Sequence, residues 1–95
     1  ANGIDYNSGV DVIFRFNTSF QNDSLGYYLG DTTSADQNIS SGNGNGDANT
    51  AGTQTDNSWQ RAGTVQFISQ DPSSPDFLRP TPGGGFEDIG AYAGL

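Results

Sequence analysis

The sequence predicts an all-β fold, a β-solenoid of about three to four coils followed by an irregular Pro- and Gly-rich C-terminal segment. Three observations lead there. A polar word recurs, as NTSF at Asn17–Phe20, NISS at Asn38–Ser41 and DNSW at Asp56–Trp59, 21 and then 18 residues apart. A chain winding about an axis returns a side chain to the same place on each circuit. A circuit of about 20 residues holds two or three short strands plus corners, the size of one coil of a parallel β-helix. Helix signals are nearly absent, because Gly, Asn, Ser, Thr and Asp dominate and no window spaces apolar residues by three and four. The apolar residues instead gather in short runs separated by turn chemistry.

Taken in order, the turn DYNSG leads into VDVIFRF, the best strand. There Val10, Val12, Phe14 and Phe16 alternate with Asp11, Ile13 and Arg15, so four large side chains point one way. SLGYYLG and TVQFIS read as weaker strands. SSGNGNGDANTAGTQT, Ser40 to Thr55, contains no large apolar residue and reads as a loop. The tail DPSSPDFLRPTPGGGFEDIGAYAGL carries all four prolines and a Gly triplet. It is expected to lie irregularly over the end of the structure, with FEDIGAY as a last short strand. The expected division is coils at residues 1–22, 23–42 and 51–71 and a capping segment at 72–95, all in one domain.

Aligning the three words stacks Ser19, Ser40 and Ser58, and likewise Asn17, Asn38 and Asp56. Coils about 4.8 Å apart let such side chains hydrogen-bond up and down a ladder. The blander reading is that N-x-S words recur by chance in a chain rich in Asn and Ser.

Composition bounds the partners. Leu, Ile, Val and Phe make 18 of 95 residues and the net charge is −8, at the border where disorder is the default. Eleven aromatics and the clustering of apolar residues favour an ordered chain with a thin core. Eleven acids against three arginines repel phosphate backbones and anionic headgroups, so nucleic acid is excluded as a partner, and no run is long enough to span a membrane. Without Cys or His there is no disulfide signature, no zinc site of the usual kind and no His-based triad. The chain has no Met, and it is expected to be a processed product or a part of something larger.

VDVIFRFNTSFQND, QNISS, DNSW followed by VQFISQDPSSPDFLRP, and EDIGAY together resemble the C-terminal coils of right-handed parallel β-helix proteins. The resemblance is closest to the pectate-lyase-like group, the family-nine type of polysaccharide lyase, and covers residues 10–92. DNSW with FISQD and DIGAY are its most specific parts. It implies a right-handed parallel β-helix and an extracellular or cell-surface location. Such lyases use a Lys base beside a calcium ion held by aspartates, on coils earlier than those matched. This chain has no Lys, so the fold carries over and the active site does not. The phrase between FISQD and FLRP is shorter than in that family, and TPGGGF stands where a longer serine-containing phrase is usual.

Few residues remain as candidates for chemistry. Arg15, Arg61 and Arg79 read as solvated cations that neutralise nearby acids. Asn43, Asn45 and Asp47 alternate oxygen ligands in the manner of a calcium loop, yet the EF-hand positions for Gly and Glu hold Ala48 and Gln54. Calcium is the one cofactor left open, and none is required. Trp59, Tyr27 and Tyr28, with Tyr6, are candidates for stacking on sugar rings, the blander reading being core packing. Asn17, Asn22 and Asn38 fit the N-x-[ST] glycan-acceptor pattern.

Two functions follow. The first is an extracellular module of a polysaccharide-processing β-helix protein, itself non-catalytic, whose partners are the coils of a parent domain and polysaccharide. The second is a structural subunit whose open β-edges stack identical copies head to tail into a filament. Under either, residues 1–9 and 77–95, with Phe86, Ile89 and Tyr92, are expected to make the contacts between coils and partner.

Overall fold

The computed structural model describes residues 1–6 and 11–93; Val10 and most of the DYNSG turn lie outside them. The described residues form β1 (Ile4–Tyr6), β2 (Val12–Arg15), β3 (Thr18–Phe20), β4 (Leu25–Leu29), β5 (Thr33–Asp36), β6 (Ile39–Ser41), β7 (Gly46–Thr50) and β8 (Thr53–Thr55). A single 3₁₀ turn follows at Ser58–Gln60. The strands sort into three sheets, β1-β4-β7, β2-β5-β8 and β3-β6. Every pairing between named strands is parallel. Tyr27 lies between Ile4 and Ala48, Ala35 between Phe14 and Gln54, and Ser19 beside Ser40. Each repeat thus lays its strands beside those of the repeat before it. The fold is all-β with parallel sheets, an arrangement consistent with a β-solenoid, and no sheet closes into a barrel.

The turn from the second sheet to the third explains why polar words recur. At each one a single residue takes the left-handed conformation, Phe16 at φ 57°, Gln37 at 56° and Asp56 at 54°, and an Asn follows it. A non-Gly residue pays about 1–2 kcal/mol for that conformation. The amide bonds described below offset it. The same turn corrects the VDVIFRF alternation: Val12 and Phe14 are half-buried, but Phe16 leaves the strand and is 42% exposed.

The stretch read as a loop contains β7 and β8, which pair with β4 and β5. The third set of strands and its 3₁₀ turn therefore fall at 46–60, earlier than the expected third coil. TVQFIS and FEDIGAY form no strand; among the described residues the isolated bridges join Phe67 with Pro80 and Ser69 with Phe77.

Two apolar clusters hold the chain. Tyr27, Leu29 and Ala35 are buried between the sheets, with Ile4, Tyr6, Phe14, Ala48 and Trp59 packed against them. The other cluster joins Ile39 of β6 to Val65, Phe86 and Ile89. Phe20 of β3 meets Phe67 edge-on at 5.5 Å, Gly90 N–H donates to Gln37 O, and Ala91 N–H donates to Thr18 Oγ1. The C-terminal segment therefore lies along the flank formed by β3 and β6, and its Phe77 and Leu78 line one cavity with Gly3, Ile4 and Ser19 of the first repeat. Thr18 and Ile39 face it, while Ser19 and Ser40 turn the other way, toward Gly26 and Asp47.

Candidate functional site

The corner Asn residues form one hydrogen-bonded column. Asn17 donates its N–H and an Nδ2 hydrogen to Asn38 Oδ1, at 3.0 and 3.1 Å. Asn38 does the same to Asn57 Oδ1, at 2.9 and 3.0 Å. Asn38 and Asn57 are completely buried. Each also sends an Nδ2 hydrogen back to the preceding repeat, Asn38 to Phe14 O at 2.8 Å and Asn57 to Ala35 O at 2.7 Å. The column therefore has a direction: an Asn accepts from the repeat above and donates to the repeat below.

Its two ends differ. At the lower end Asn57 finds no fourth Asn; its N–H and Nδ2 donate to Gln60 Oε1 at 3.0 and 2.9 Å, in the same fork. Gln60 Nε2 also reaches Gln54 O. Beside it Trp59, one place on from Ser58, packs on Tyr27 with tilted rings whose centres are 5.2 Å apart, and donates Nε1–H to Gln54 Oε1 at 2.7 Å. At the upper end no described donor reaches Asn17 Oδ1, and the hydrogen that its successors send to an earlier strand turns to Arg15 O of its own repeat. Ile4, Tyr6 and Phe14 are only half-buried there, with Tyr6 and Phe14 rings 5.8 Å apart.

The structure thus puts Asn57, not Asp56, below Asn38. Asp56 is the left-handed residue before it and points out to Arg61. Ser19 and Ser40 pair, whereas Ser58 follows Asn57 directly, the place that Thr18 and Ile39 hold after Asn17 and Asn38; its Oγ accepts from Ser40 N–H at 3.0 Å. A second column went unread in the sequence. Asn22 donates its N–H and Nδ2 to Asn43 Oδ1, and each donates Nδ2 to the serine three residues before it, Ser19 or Ser40. The readable signal was the spacing N-x-S-x-x-N, present twice.

These bonds involve several of the candidate residues. Asn43 Oδ1 accepts from Asn22 and Asn45 Nδ2 donates to Ser24 Oγ, while Asp47 takes part through its backbone carbonyl, which accepts from Ser40 Oγ. Among the described residues no three acidic side chains gather. Both Nδ2 hydrogens of Asn17, Asn22 and Asn38 are engaged, so a glycan on any of them would break a column. Tyr27 is fully buried, with its hydroxyl on Asn17 O and Ile39 O; Trp59 packs on it and is half-buried, and Tyr28 is 39% exposed. Burial pushes the Tyr27 phenol well above its ordinary range, so it remains a donor.

The arginines are occupied too. Arg15 meets Asp36 across paired strands at 3.0 Å, and Arg79 stands near Asp76 and over the Tyr92 ring. Arg61 forks onto Asp56, donates to both oxygens of Asp88 and gives a further bond to Gly85 O at 2.7 Å. Its hydrogen bonds hold the Asp56 and Asp88 carboxyls below the usual range, and those carboxylates raise the guanidinium further. All five guanidinium hydrogens are used, so Arg61 is a clasp between corner and C-terminal segment and has no donor left for a substrate. No family model, curated protein or solved structure matches the chain.

Proposed function

We propose that the chain is a right-handed parallel β-helix module of the pectate-lyase-like kind, extracellular and non-catalytic, that belongs with the further coils of a polysaccharide-processing protein. The directional Asn17–Asn38–Asn57 column ending on Gln60 carries this reading, because it is built like the terminal stretch of a longer stack. The parallel sheets and the resemblance of DNSW, FISQD and DIGAY support it. The non-catalytic part rests on the absence of Lys and His and on arginines already held by carboxylates. Gln60 and Trp59 weigh against the head-to-tail filament, since they occupy the corner that a following copy would have to meet.

Incubation of the pure chain with polygalacturonate and calcium tests the reading, with no unsaturated, ultraviolet-absorbing ends expected. Their appearance would overturn the non-catalytic assignment. An experimental structure winding left-handed would overturn the β-helix assignment.

A further inference from the structure

We propose that the β1–β2–β3 end is a docking surface for one further parallel β-coil, in line ahead of Ala1, whose corner Asn donates to Asn17 Oδ1, and that the Gln60 end takes none. This rests on the solenoid reading above and names the partner and the direction in which it binds.

Hydrogen-bond polarity gives the stack its direction. Both interfaces between repeats are made in the same way, with an Asn fork pointing down and one amide hydrogen returned up. Asn17 makes the downward half and lacks the upward half. Its Oδ1 is an acceptor with no described donor, and its spare hydrogen rests on Arg15 O, two residues away. A coil above supplies both missing partners, an Asn fork for Oδ1 and a strand carbonyl for Nδ2. It also covers Ile4, Tyr6 and Phe14, the half-buried apolar residues at that mouth, and pairs the free edges of β1, β2 and β3. Ala1 already lies in register for such a connection. Its carbonyl accepts from Ser24 N–H, as the Ser24 carbonyl accepts from Asn45 N–H.

A second copy of this chain does not fit. Approaching by its lower end it brings Asn57, whose donors are held by Gln60. Approaching by its upper end it sets one Asn17 Oδ1 against another, acceptor facing acceptor. At the lower end β7 and β8 also have free edges, but they carry only Gly, Asp, Ala, Asn, Thr and Gln, and Trp59 lies across the apolar interior. Half-buried Ala48 and Trp59 are the apolar residues at that end, against Ile4, Tyr6 and Phe14 at the other, and Gln60 already holds the Asn57 donors that a further coil would have to meet.

The test adds a coil to the full chain. A copy of Ser24–Gly44 is placed ahead of Ala1, so that Ala1 takes the place that Asn45 holds after Gly44. A second version of the added coil carries Asn38→Ala. Amide exchange in β1, β2 and β3 is expected to slow at least tenfold, and the melting midpoint to rise by roughly 5 °C. The Asn38→Ala version is expected to give back at least half of the slowing. Unchanged exchange at β1, β2 and β3 overturns the proposal whatever the added coil itself does. So does new protection at β7 and β8, or sedimentation of the unmodified chain as a concentration-dependent polymer. Lyase activity, by contrast, would defeat the proposed function and leave this result standing.

Discussion

Gln60 stands to Asn57 as Asn57 stands to Asn38: one side-chain oxygen accepting from both the N–H and the Nδ2 of the residue above. The substitution of a glutamine from the next turn for an asparagine from the next repeat lets the column stop without leaving buried donors unmet. Gln60→Ala should cost about 1–3 kcal/mol, the usual penalty for stranding buried donors. Gln60→Glu, which keeps an acceptor, should cost clearly less at neutral pH. Urea unfolding followed by circular dichroism checks both, and equal losses would show that the oxygen is not what matters.

Asn38 is the most committed side chain of the column. Asn38→Leu removes the acceptor of Asn17 N–H and the donor to Phe14 O at a fully buried position, and should lower stability by about 3 kcal/mol. Asp56→Asn, one residue before the next column member, keeps a residue tolerant of positive φ and should lie within about 1 kcal/mol of wild type. A comparable loss at both positions would contradict the geometry.

The Arg61 clasp makes the C-terminal segment acid-sensitive. Asp56 and Asp88 titrate below the ordinary value of 3.8 when folded, so the unfolded chain binds more protons there. Their contribution is whole above the ordinary value and is lost as pH falls below it toward the depressed native values. Asp71, held by Ser73, and Glu87, held by backbone N–H groups of its own turn, act in the same direction. Amide signals of Ile89 and Gly90 should lose protection in that window. Arg61→Ala should flatten the part due to Asp56 and Asp88 and leave the rest.

Gly26 allows the second column to form. A Cβ there would sit 2.1 Å from Ser40 Oγ and 2.6 Å from Asp47 O. Gly26→Ala should therefore destabilise by about 1–3 kcal/mol, and Ser40→Ala in the same chain should recover part of it. Simple additivity in a double-mutant cycle would refute this contact.

Trp59 reads as a lid on the core in this structure. Trp59→Ala should cost about 3 kcal/mol and abolish the exciton-type coupling expected of the Tyr27–Trp59 pair in near-ultraviolet circular dichroism. Any polysaccharide retention of the chain should survive the change, and its loss in a still-folded variant would return Trp59 to a sugar-binding role.

How much of this was legible follows from where the signals come from. The 21-residue return of Asn17 at Asn38 was visible because both repeats have the same corner. The third member was misplaced by one residue, since DNSW begins with the left-handed Asp56 where NTSF begins with the column Asn itself. β7 and β8 escaped notice because strands are recognised by apolar alternation, and these two contribute backbone bonds while Tyr27, Leu29 and Ala35 supply the core. TVQFIS and FEDIGAY carry apolar residues that belong to another job: Val65, Phe67, Phe86 and Ile89 cover Ile39 from outside. Composition alone does not say which face of a sheet an apolar residue will meet.

The position of the C-terminal segment on the flank has a consequence for the order of events in folding. Its docking platform is made of Thr18, Phe20, Gln37 and Ile39, contributed by two successive repeats. Neither repeat alone presents that surface. The apolar side of residues 61–93 therefore gains its platform only once β3 and β6 have paired, and each of these contacts joins residues far apart in the chain. Such long loops close late, after the local winding that precedes them. Folding should accordingly show two kinetic phases, with the Phe20–Phe67 contact belonging to the slower.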